Sequence, residues 1–77
     1  MFDVSTEVLF DVVKVRINGC LHLHFIKSRY VGLQTWMAER DGKFCFEITM
    51  DGGAIVCEYD TAEKMKSILQ KLEPLLG

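Results

Sequence analysis

The sequence predicts one small α+β domain, an antiparallel meander of about five strands with a single C-terminal amphipathic helix packed on one face. Three observations carry that reading. Turn signals at Asn18-Gly19, Asp41-Gly42 and Asp51-Gly52-Gly53 separate apolar, β-branched and aromatic runs, which is the sequence pattern of hairpins. Apolar residues then recur at three- and four-residue steps from Ala62 to Leu72, the spacing of one helix face. Finally, the chain has 77 residues, 49% hydrophobic and 26% charged. That composition fits a single core, since so short a chain buries only about 60% of its unfolded surface.

Taken in order, residues 1–10 carry Phe2, Val4, Val8, Leu9 and Phe10 and leave three readings open: an extra strand, a short helical turn, or an arm facing a partner. Strands are expected over residues 8–17, 20–27, 30–38, 44–50 and 54–59. Directly opposed residues of a hairpin must share a face, so loop length can be tested by parity. A two-residue loop at Asn18-Gly19 would oppose Val15 to His22 and Val13 to His24, mixing both faces. A three-residue loop, Ile17-Asn18-Gly19, opposes Val15 to Leu21 and Val13 to Leu23 instead, and is preferred on that ground. In the middle hairpin, Leu33 and Met37 are placed inward and Gln34 and Trp36 outward.

At the last turn a Gly52-Gly53 loop pairs Met50 with Ile55, Ile48 with Cys57 and Phe46 with Tyr59, while an Asp51-Gly52 loop keeps the same faces and shifts the pairs. The helix follows, with Ala62, Met65, Ile68, Leu69 and Leu72 as its apolar stripe. Asp60 or Thr61 is positioned to cap its free N–H groups, and Glu63 sits where the helix dipole favours a negative charge. Pro74 lacks a backbone donor, so the helix is expected to end around Leu72 or Glu73. The predicted inner face carries Val13, Val15, Leu21, Leu23, Phe25, Leu33, Met37, Phe44, Phe46, Ile48, Met50, Ile55, Cys57 and Tyr59.

A formal charge of −2 provides no basic field, which argues against nucleic acid as a partner. Three cysteines without C-x-x-C spacing argue against a disulfide framework and for a reducing, cytoplasmic setting, where Cys20, Cys45 and Cys57 act as small hydrophobes. Acids near the start and no apolar run of about 18 residues give no expectation of a membrane segment.

The candidate site is the outer sheet face, with Lys14, Arg16, His22, His24, Gln34 and Trp36 beside Cys45, Glu47, Thr49, Val56 and Glu58. Strand alternation aims His22 and His24 to one side, about 6–7 Å apart. Such a pair can grip a metal if Cys45, Glu47 or Glu58 completes the set, but the plainer reading is two half-exposed polar residues. Glu47 opposite Glu58 would raise one carboxyl pKa, yet a short meander offers no cleft for acid–base work. No nucleophile elbow, P-loop or dinucleotide fingerprint is present, so no enzyme activity and no cofactor are expected. Trp36, with Tyr30, Val12 and Val56, leaves aromatic and apolar surface where a lone monomer should be polar, which is how interaction surfaces look.

From Ile26 to Leu72 the order Tyr30-Val31-Gly32-Leu33-Gln34, Phe44-Cys45-Phe46-Glu47-Ile48, a Gly turn, Glu58-Tyr59-Asp60 and an amphipathic helix resembles small phage or mobile-element proteins. The resemblance implies an accessory protein that acts by binding, for instance an inhibitor of a host protein. The leading expectation is a protein-binding or self-assembling module, with Trp36, Tyr30, Gln34, His22, His24, Lys14 and Arg16 as its binding residues. Alternatives are an oligomer sequestering a small ligand or nucleotide on Lys14, Arg16, His22 and His24, and a metal-binding protein.

Overall fold

The computed structural model describes residues 2–76 as six strands and a helix. They run β1 (Val4–Leu9), β2 (Val12–Ile17), β3 (Cys20–Ile26), β4 (Tyr30–Met37), β5 (Phe44–Met50), β6 (Gly53–Tyr59) and α1 (Ala62–Leu76), with a 3₁₀ turn at Lys27–Arg29 between β3 and β4. The α+β class holds. The single five-stranded meander does not: the strands form two three-stranded antiparallel sheets, ordered β1-β2-β3 and β4-β5-β6.

The sixth strand comes from splitting the expected strand over residues 8–17. Leu9 pairs with Val12, and Phe10-Asp11 turns the chain between them. Phe10 adopts φ 56° there, a left-handed conformation that costs a residue with a Cβ roughly 1–2 kcal/mol. No Gly, Asn or Pro announces this turn. Residues 4–9 are therefore a strand, which decides among the three readings of the N-terminal segment, while Met1 lies outside the described residues.

The β2–β3 hairpin corrects the expected three-residue loop. Ile17 pairs with Cys20, so Asn18-Gly19 is a two-residue loop, with both residues at positive φ, 52° and 83°, as the tight hairpin turn that follows strand twist requires. Asn18 also ties down the start of β1: its N–H donates to the Asp3 carbonyl (2.8 Å), and its Oδ1 accepts from the Asp3 N–H (2.9 Å). The mixing of faces that such a loop would cause is avoided by a β-bulge. Arg16 pairs with Leu21 and Val15 with Leu23, leaving His22 as the extra residue. Leu23 and Phe25 then turn to the core beside Val13 and Val15, whereas Leu21 is turned out with Arg16 and stays 49% exposed.

A second bulge lies between Tyr30 and Gly32, with Val31 as the extra residue. It reverses parity at the start of β4 and brings Tyr30, expected on the outer face, opposite Met50 and half-buried against the core. Beyond the bulge, Leu33 packs inward as expected, but Met37, opposite Phe44 on the edge strand β4, is 56% exposed. At the last turn Asp51-Gly52 is the loop, pairing Met50 with Gly53, Ile48 with Ile55 and Phe46 with Cys57. Gly52 takes φ 90°.

The inner faces of both sheets share one core with the helix. Val4, Val13, Val15, Leu23 and Phe25 from the first sheet meet Phe46, Ile48 and Tyr59 from the second and Ile68, Leu69 and Leu72 from α1. The helix rests on β1 and β2 of one sheet and β5 and β6 of the other, so it bridges two layers rather than covering one. The Thr61 hydroxyl caps it by accepting from the Lys64 N–H (3.3 Å), and Lys64 pairs with Asp60 (3.0 Å). Regular helix runs past Pro74 to Leu76, further than expected. The missing donor falls in the last turn, and Leu75 and Leu76 pack against the core.

Candidate functional site

Splitting the meander also splits the predicted site. On the outer face of the first sheet the cross-strand rows are Ser5–Arg16–Leu21 and Glu7–Lys14–His24. On the outer face of the second they are Gln34–Glu47–Val56 and Trp36–Cys45–Glu58. Opposed side chains in such rows have Cβ atoms about 4.5–5.5 Å apart. Lys14, Arg16 and His24 therefore stand together, Trp36 and Gln34 stand together on the other sheet, and Tyr30 and His22 belong to neither group.

His22 is the largest departure. As the bulge residue it leaves the row of His24, and its Nε2 shares a hydrogen bond with the Tyr59 hydroxyl, ring centroids 5.6 Å apart. Tyr59 in turn stacks on Phe46 at 5.8 Å and 18°. Burial lowers the His22 pKa and keeps the imidazole neutral, while burial and the neighbouring Cys57 push the Tyr59 phenol well above its ordinary value. Both groups thus hold their uncharged forms at neutral pH, and the bond ties His22 to a residue of the core. Among the described residues, no cluster of three or more His, Cys, Asp and Glu side chains is placed to hold a metal ion.

The Glu47–Glu58 pair also dissolves. Glu47 faces Val56 and accepts from the Thr49 hydroxyl (3.0 Å), and Glu58 faces Cys45. Cys45 lies on the outward side by register yet is 2% exposed, flanked in its row by Trp36 and Glu58. Burial raises its thiol pKa, and the Glu58 and Asp41 carboxylates raise it further, which suits an unreactive thiol. Trp36 itself remains 39% exposed and Val56 52%. The second sheet therefore presents an indole and an aliphatic side chain bordered by two carboxylates.

Sequence reasoning missed a cleft of about 270 Å³ where β3, the 3₁₀ turn and the β5–β6 loop meet, lined by His24, Phe25, Ile26, Arg29, Met50, Asp51, Gly52 and Gly53. The Asp51 N–H donates to the Arg29 carbonyl (2.8 Å) and closes one side. Asp51 and the two glycines are visible in sequence only as a turn, and nothing local signals that Arg29 lies beside them. No protein-family model, curated protein or solved structure matches this chain.

Proposed function

We propose that this chain is a non-enzymatic binding module that acts by meeting another protein or a copy of itself, with the outer face of the β4–β6 sheet as its protein-contacting surface. The observation that carries the reading is Trp36, 39% exposed on the outer sheet face beside Gln34 and Val56. Aromatic residues in this setting, apolar at the centre and charged at the rim, supply most of the energy of protein interfaces. Glu47 and Glu58 at the rim favour a partner surface carrying Lys or Arg.

The chain has one tryptophan, so its emission reports on this face alone. Light scattering across a concentration series, with fluorescence on the same samples and after capture of a partner from host extract, tests the reading. A blue shift that accompanies the mass increase, and loss of complex formation in Trp36→Ala, is the expected result. Complex formation that leaves the emission unmoved and survives Trp36→Ala rejects this face as the contact surface.

A further inference from the structure

Phe10 is 100% exposed at the tip of the β1–β2 hairpin, and it sits there at a φ of 56° that a side chain disfavours. Neither burial nor backbone preference explains an aromatic residue at this position, and strain of this kind persists mainly where function uses it. Beside it, Leu9, Val12 and Ile26 form an apolar row across three strands, with Leu9 and Ile26 also exposed. The tip is held against the 3₁₀ turn: the Lys27 N–H donates to the Asp11 carbonyl (2.7 Å) and the Ser28 hydroxyl to the Asp11 carboxylate (2.5 Å). Those two residues lie between Ile26 and Arg29, which line the cleft. An aromatic knob and an apolar-floored hollow therefore lie side by side on one end of the molecule.

We propose that a second copy of this chain docks here as a two-fold dimer, the Phe10 ring of each copy entering the cleft of the other between Ile26 and Met50. The inference rests on the reading of the chain as a binding module and adds a self-contact separate from the Trp36 face. Adjacency of knob and hollow selects a second copy over an unrelated occupant, because one two-fold rotation satisfies both contacts at once. At about 270 Å³ the cleft has room for one aromatic side chain. Charge does not oppose the contact: the hollow is lined by Arg29 as well as Asp51, and Asp11 accompanies the knob. The same acid disfavours an anionic lipid surface as the seat of Phe10.

Sedimentation equilibrium of the full chain tests this, with dimers expected for the natural sequence. Phe10→Gly removes the knob and relieves the positive φ, so dissociation is expected to strengthen at least about 30-fold with thermal stability of the dilute monomer unchanged or raised. Gly53→Leu fills the hollow from its other wall, where the glycine faces open space, and is expected to give monomers as well. Mixing the two variants restores one of the two contacts and is expected to yield heterodimers. A natural chain monomeric through the millimolar range, a dimer indifferent to Phe10→Gly, or open-ended polymers overturn the proposal. A dimer lost in Trp36→Ala but kept in Phe10→Gly overturns it while leaving the binding-module reading intact.

Discussion

Leu21 and Leu23 are chemically identical, lie two residues apart on β3, and differ in exposure, 49% against 5%. Uninterrupted alternation would place both on one face and make their truncation equally costly. The His22 bulge separates them. For Leu23→Ala, three buried carbons at about 0.8 kcal/mol each are lost, and the void left among Val13, Val15 and Phe25 brings the total to about 3–4 kcal/mol. Leu21→Ala forfeits about half of that transfer energy and leaves no cavity, roughly 1 kcal/mol. A chain of 77 residues has about 4–12 kcal/mol in all, so the first change removes a large share of stability and the second does not. Urea unfolding followed by circular dichroism at low chain concentration reads the difference. With a slope near 1 kcal/mol/M for so small a domain, the Leu23→Ala midpoint is expected about 2 M below that of Leu21→Ala. Midpoints within about 0.5 M of each other would refute the bulged register, and with it the separation of His22 from His24.

Two further outcomes follow from His22 and the thiol groups. The His22 pKa is lowered in the folded state, so its neutral form contributes stability that is fully present above the unfolded value near 6.5 and is lost as pH falls below it. Thermal unfolding between pH 7 and pH 5 is expected to show a slope that flattens in His22→Gln, and an NMR titration placing His22 at or above its ordinary pKa would contradict this. Among the thiols, Cys20 is exposed whereas Cys45 and Cys57 carry pKa values raised first by burial. Iodoacetamide at mildly alkaline pH is expected to label Cys20 first and Cys45 slowly, as peptide mass spectrometry reads, and equal rates for Cys20 and Cys45 would contradict the buried setting of Cys45.

The features legible in the sequence are those that depend on short-range periodicity. Ala62, Met65, Ile68, Leu69 and Leu72 define the helix because 3.6-residue spacing places them on one side whatever they pack against. Asn18-Gly19 and Asp51-Gly52 mark turns because few residues tolerate positive φ. Trp36 and Gln34 face outward, as the sequence pattern predicts, because β4 beyond its bulge alternates without interruption. No model of constant alternation contains the two bulges, at His22 and Val31. A bulge is a local rearrangement whose location depends on which register lets the flanking apolar residues reach a shared core, and that core is assembled from two sheets and a helix far apart in sequence. The same long-range packing set the Phe10-Asp11 turn against a 3₁₀ turn 17 residues away, bringing Arg29 beside Asp51 and forming the cleft. Composition and spacing thus determined the helix, every strand but β1 and most of the core, whereas tertiary packing decided how each strand faces, and therefore which polar side chains are free to meet a partner.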